Sequence, residues 1–378
     1  MSNYVNKRLA IDDLVPGMCL GKMIVTDDGK NFLNEGAVLT LRVIQMLHLW
    51  GLRYVDIREE APTGALGYRM EDTEPLHMAD ADKKKTSSTE TTVQIPAGFL
   101  AYYEAAVQVL KGTFGRARFL KDGFEITDVR QMVEECVLPL IEDPTVLDNI
   151  QMMPHPEDYL YHHSVDVGIL SGCLGLWLGR PFRELEEIIL GALLHDVGKA
   201  LIPLKVLNKP GALTAEEMAL MRFHSVRGYN FLKQNRELPR SILLCALQHH
   251  ERMDGSGYPL SVTGDKIHPY AKTIAVADVF DAITSARNYG RKVTPYEAVA
   301  VLQYEMLGKL DSRTCSVLVD HLVPRFVGDF VELSNGQLGE VIFLNVSDSS
   351  RPTIRTIDGD FVDLDKCRTL KISKVLRT

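Results

Sequence analysis

The chain has 378 residues and a formal net charge of −8, length enough for two or three domains and a sizeable core. The acidic balance excludes a general DNA or RNA binder, because phosphate contacts need a positive footprint. A small phosphate ligand held by a metal stays open. Six scattered cysteines without a Cys-x-x-Cys pair exclude a disulfide scaffold and predict reduced, mostly buried thiols in a cytoplasmic protein.

The first residues carry no apolar core of a signal peptide. The most apolar stretches, 167–179 and 187–194, are shorter than the ~20 residues a membrane span needs. Residues 1–60 mix turn signals and short β-branched runs with a helical pattern at TLRVIQMLHLWGL and a strand-like RYVDI, which predicts a small α/β module. Residues 61–96 are rich in Thr, Ser, Asp, Glu, Lys and Pro and read as a flexible linker, since they bury too little to offset ordering.

Residues 97–150 hold apolar positions at helical spacing in FLAYYEAAVQVLKGTF and DVRQMVEECVLPLIE. They are expected to pack on the helices that follow, with a dimer seam as the other reading. Residues 151–322 are helical by period, with capping boxes at Thr214–Glu217 and Thr294–Glu297 and Pro295 opening the second helix. From 323 to 378 short alternating runs separated by Gly, Asn and Asp predict a small antiparallel barrel or sheet of about five strands. The expected class is mainly α: a helical bundle between a small N-terminal α/β module and a small, barrel-like C-terminal β module.

Eight of the eleven histidines fall between 155 and 268. His163 opens a helix, His195 and Asp196 end an apolar one, His224 sits on the next, and His249 and His250 close another at HHERMDGSGYP. Asp278 interrupts the apolar face of KTIAVADVFDAITSAR. Taken singly, each has an ordinary reading as a hydrogen-bonded core residue or an ion-pair partner. Together they would leave seven costly polar groups for a helical core to satisfy. One dinuclear site satisfies all seven, and imidazole with carboxylate suits first-row divalent ions.

His195-Asp196 followed by Gly198-Lys199, then HHExxDGxGYP at 249–259, resembles the HD-GYP family, over roughly residues 150–310. This branch of the HD phosphohydrolase superfamily hydrolyses cyclic di-GMP. The resemblance implies an HD-type helical catalytic domain and assigns His163, His195, Asp196, His224, His249, His250 and Asp278 as metal ligands, with Asp196 bridging. It implies two divalent ions, Fe or Mn, with Zn, Ni, Co and Mg as further candidates. Asp196 and Lys199 become the catalytic pair, with a metal-bridged hydroxide opening the phosphodiester to give pGpG or GMP. Lys199, Tyr258, Arg287 and Arg291 become the substrate contacts, and Gly255, Gly257, Tyr258 and Pro259 shape a rigid rim. Expected partners are cyclic di-GMP, diguanylate cyclase (GGDEF) proteins and a second copy of the chain.

Two positions depart from the family pattern. Tyr159 stands where some members carry a glutamate for a third metal, which favours two ions. Arg287-Asn288-Tyr289-Gly290-Arg291 replaces Arg-Pro-Tyr and a basic residue, so the second cation is displaced to Arg291 or lost. A receptor that binds cyclic di-GMP without turnover, and an HD enzyme acting on another cyclic dinucleotide, are the rival readings.

Overall fold

The computed structural model describes residues 4–11, 14, 17–25, 31–39, 43–44, 47, 54–60, 95–119, 125–153, 159–285, 293–345 and 348–376. The expected linker, apart from Ile95 and Pro96, and both Arg287 and Arg291 lie outside these residues. The chain divides into two compact units. One holds 1–94, 356–360 and 376–378, and the other holds 95–355 and 361–375.

In the first unit, β1 (Tyr4–Ala10) pairs antiparallel with β5 (Tyr54–Glu60), Lys7 opposite Ile57, and the short β2 (Cys19–Leu20) pairs with β5 as well. Val55 and Ile57 are buried while Tyr54 is exposed, the alternation of a half-buried strand. β3 (Ile24–Val25) and β4 (Asn31–Leu33) form a separate two-stranded ribbon. Of the helix expected after residue 39, only Val43, Ile44 and Leu47 are described, and they are helical.

The second unit is helical at its centre. α1 (Ala97–Phe119) buries Phe99, Tyr103, Ala106, Val107, Leu110, Phe114 and Ala117, a stripe at the i, i+3/i+4 spacing of an amphipathic helix. α2 (Ile126–Met132) runs through a π turn at Val133–Val137 into α3 (Leu138–Ile141), and α4 (Val146–Met152) follows. α5 (Tyr159–Trp177) is buried continuously from His162 to Gly175, as a central helix must be. It packs on α6 (Phe182–Leu194).

A 3-10 turn at Val197–Leu201 leads to α7 (Leu204–Leu207), α8 (Ala215–Arg222), α9 (His224–Leu232), α10 (Arg240–Gln248) and α11 (Pro269–Thr284). α12 (Pro295–Glu305) and α13 (Ser312–Leu322) complete the bundle. Thr214 and Thr294 cap α8 and α12 with reciprocal bonds to Glu217 and Glu297, as their spacing predicts.

Five strands follow: β6 (Phe330–Leu333), β7 (Leu338–Phe343), β8 (Thr353–Thr356), β9 (Phe361–Asp363) and β10 (Ile372–Leu376). Their order is β10-β6-β7-β8-β9. The strand number matches the expectation, but among the described residues β9 and β10 remain edges, so the sheet is open rather than a closed barrel. Val331, Leu333, Val341, Ile354 and Ile372 join the same hydrophobic cluster as the helices, and the Tyr296 hydroxyl on α12 donates to Asp329 at 3.0 Å. Among the described residues no helix is long and apolar enough to cross a membrane.

Candidate metal centre

Five helices deliver polar groups to one point, most of them from their ends. His195 closes α6 and Asp196 begins the 3-10 turn after it. His224 opens α9, His249 and His250 follow α10, His163 lies in the second turn of α5, and Asp278 lies on α11. Asp196 is fully buried at the middle of the group. Its Oδ1 lies 3.2 Å from His224 Nε2 and 3.7 Å from His249 Nε2, and its Oδ2 lies 3.4 Å from His195 Nε2 and 3.6 Å from His163 Nε2. Asp278 stands 3.2 Å from His163 Nε2 and 3.8 Å from His250 Nδ1.

Four of the rings are held from behind. His195, His224 and His249 sit with Nδ1 against the carbonyls of Ala192, Met221 and Cys245 at 2.6, 2.8 and 3.1 Å. His163 Nδ1 instead faces the Asp281 carboxylate at 2.6 Å. An Nδ1–H that donates backwards leaves the Nε2 lone pair facing inwards, which is how metal-binding histidines are oriented.

Among the described residues, two buried atoms at the centre, His195 Nε2 and Asp196 Oδ1, have no hydrogen-bond partner. Buried polar atoms are rarely left so. One group of donors within 4.8 Å of one another is His163, His195 and Asp196, and another is Asp196, His224, His249 and His250. The inward lone pairs, the orphaned atoms and the shared carboxylate fit divalent cations.

The electrostatics follow from burial and neighbours. Burial would raise the Asp196 carboxyl, but Lys199 and His195 hold it well below the usual range. Asp278 is likewise held low against burial by His163 and His250. Burial, with neighbouring imidazoles, pulls His249 and His250 well below the ordinary value, so both rings are neutral at neutral pH. His163 goes the other way: burial lowers it, but Asp278 and Asp281 outweigh burial and raise it to about 10.

The Lys199 ammonium donates to Asp196 Oδ2 and is about a quarter exposed, so a cation stands between the centre and solvent. The Tyr258 ring lies 4.6 Å from that of His250, and the Arg222 guanidinium lies over the Tyr258 ring, 5.2 Å from its centroid. The 254–262 loop folds back on the histidine pair. The Glu251 carboxylate accepts from the Leu260 and Val262 amides at 2.6 and 3.1 Å, and the Tyr258 amide donates to the His250 carbonyl.

Two glycines are required by this packing. A Cβ at Gly257 would sit 2.5 Å from the His250 carbonyl oxygen, and one at Gly198 would sit 1.9 Å from that of His224. Tyr159 stacks on His163 with ring centroids 5.3 Å apart, so an aromatic ring covers the position expected to carry a third-metal glutamate.

The other six side chains singled out as donors in the sequence thus gather around Asp196, with Lys199 and Tyr258 beside them. Asp281 and Glu251 were not singled out. Asp281 follows Asp278 by three residues, hence on the same helical face, and that spacing is the signal that could have found it. Glu251 gave no signal beyond its place in the motif.

Comparison with known proteins agrees with this geometry. A family model described as an HD domain matches residues 150–314. A cyclic di-GMP phosphodiesterase of Pseudomonas aeruginosa is 35% identical over 288 residues, covering 76% of this chain and 67% of the relative. The cyclic di-GMP phosphodiesterase response regulator RpfG of Xanthomonas campestris is 45% identical over 148 residues, 39% of each chain. Among solved structures, an HDGYP protein of Bdellovibrio bacteriovorus shares the fold with a TM-score of 0.52 at 18% identity, covering 85% of this chain and 99% of that one. With the HD pair, the complete GYP loop and these likenesses in hand, the chain belongs to the HD-GYP branch of the HD domain family.

Proposed function

We propose that the chain is a metal-dependent phosphodiesterase that hydrolyses cyclic di-GMP to pGpG or GMP. The observation that carries this reading is one buried carboxylate, Asp196, shared by two groups of inward-facing donors with Lys199 against it. The two relatives above are named for this activity. His163, His195 and Asp196 would hold one ion, Asp196, His224, His249 and His250 the other, and Asp278 would face both. Two first-row divalent ions, Fe or Mn by family, supply a Lewis acid and a water of lowered pKa when bound.

The chain's own residues do the rest. The backbone carbonyls and Asp281 orient the imidazoles. Lys199 offsets charge developing on the phosphate oxygens. Tyr258 offers a flat wall at the rim, and Arg287 and Arg291 supply further cations for phosphate. Cyclic di-GMP is then the ligand, and diguanylate cyclase (GGDEF) proteins and a second copy of the chain are the partners, in the cytoplasm. The proposed organisation keeps the module boundaries at 60/61, 96/97, 150/151 and 322/323.

The test is anaerobic purification, metal analysis, and incubation with cyclic di-GMP and Mn²⁺ or Fe²⁺, followed by chromatography. About two metals per chain and conversion to pGpG or GMP are expected. Bound nucleotide without turnover would replace the enzyme with a receptor, and preferential cleavage of another cyclic dinucleotide would move the substrate.

A further inference from the structure

One cation at the rim of the metal centre has no task in the chemistry above. Arg222 is the last residue of α8, exposed, and two residues before the candidate ligand His224. Its backbone is anchored beside that ligand. The Met221 carbonyl faces His224 Nδ1 at 2.8 Å, and the Arg222 carbonyl accepts from the Ser225 hydroxyl at 3.2 Å. The Arg222 guanidinium lies over the Tyr258 ring, 5.2 Å from its centroid, a cation–π contact. Tyr258 in turn packs on two candidate ligands, its ring centroid 4.6 Å from that of His250 and 6.4 Å from that of His224. Arg222 is thus one ring removed from the centre.

The neighbouring cations are engaged. Lys199 donates to Asp196, Arg227 to the Leu201 carbonyl, and Arg252 to the carbonyls of His249 and Glu251. Among the described residues the Arg222 guanidinium has no carboxylate or carbonyl partner. A guanidinium held over a ring keeps its N–H donors for an anion.

We propose that Arg222 binds the second phosphodiester of the substrate, the one that is not being cut. This deepens the proposed function and rests on it. A cyclic dinucleotide carries two phosphodiester charges separated by its sugars. When one diester lies on the ions with Lys199 beside it, the other is carried outward to the rim and needs a cation of its own. The planar fork of an arginine suits two phosphate oxygens. In a chain of net charge −8, a doubly charged anion must be met by local positive groups. Tyr258 then has a definite task, which is to aim Arg222.

Arg222→Gln in the full chain with Mn²⁺ tests this. Binding of cyclic di-GMP is read in stopped flow ahead of cleavage, together with steady-state turnover. Kd and KM should both rise about tenfold, the worth of one charge-assisted hydrogen bond, with kcat unchanged. Mn²⁺ affinity should not change, and neither should hydrolysis of bis(p-nitrophenyl) phosphate, which has a single diester.

The decisive comparison uses cyclic di-GMP in which one diester is a neutral methylphosphonate. Cleavage at the remaining charged diester leaves the neutral group in the second position, where Arg222→Gln should cost nothing further. An unchanged KM for cyclic di-GMP, an equal loss on the methylphosphonate, or a matching loss on bis(p-nitrophenyl) phosphate would each overturn the proposal. If cyclic di-GMP binds, Arg222→Gln weakens that binding and nothing is cut, the phosphodiesterase reading fails while the Arg222 contact stands.

Discussion

The two ends of the metal centre are built from the same ligand chemistry but backed by different groups. At one end His224 and His249 rest on backbone carbonyls, which no substitution can remove without moving a helix end. At the other end His195 rests on the Ala192 carbonyl, but His163 rests on the carboxylate of Asp281, a side chain that can be changed alone. A carboxylate behind an imidazole makes the ring a stronger donor than a carbonyl does. The fold therefore fixes one end through its main chain and leaves the other adjustable through a single residue.

The largest expected effect abolishes the comparison. Asp196→Ala removes the carboxylate common to both ends, so metal content should fall to near zero and turnover at least about a thousandfold, with helical circular dichroism retained. Normal turnover in a metal-free Asp196→Ala protein would refute the centre. Gly198→Ala strikes the backbone-built end, because the added Cβ meets the His224 carbonyl. It should cost roughly 3 kcal/mol in urea denaturation, and a stability equal to the unaltered chain would mean that His224 is not fixed by this contact. Asp281→Asn addresses the adjustable end and should weaken one of two Mn²⁺ binding steps by about 10- to 100-fold while sparing the other. Equal weakening of both steps would erase the distinction drawn between them.

The smallest test is the pH dependence of the metal-free protein, where the two ends act with opposite sign. His163 is raised to about 10 in the folded state, so its contribution is complete below its unfolded value of about 6.5 and fades as pH climbs through 10. His249 and His250 are lowered, so below about 6.5 the unfolded chain takes protons that the folded chain refuses, and stability falls in acid. Denaturation midpoints should therefore peak near neutrality, and Asp281→Asn should flatten the alkaline limb alone. A curve that rises steadily from pH 6 to 9 would contradict the assignment of His163.

Sequence reading reached the donors because an ionisable group on an apolar helix is costly wherever it lies. His195 and Asp196 after LGALL, or Asp278 within IAVADVF, announce themselves without knowledge of their neighbours. The groups behind them do not. Asp281 earns its role from a histidine 118 residues away, so it looks like an ordinary member of its own helix. Strand number in the C-terminal segment was legible from turn spacing. Closure was not, since pairing between β9 and β10 depends on long-range geometry that alternation does not encode. Arg287 and Arg291 fall outside the described residues and stay expectations from the motif.

Glu251 turns the loop of residues 252–262 into a closed ring of chain, fastened at one side by the peptide bond to His250 and at the other by the Leu260 and Val262 amides. The Tyr258 ring, 4.6 Å from that of His250, is thereby tied to the histidine pair both along the chain and across the loop, so removing the Glu251 carboxylate would loosen the rim without touching a ligand.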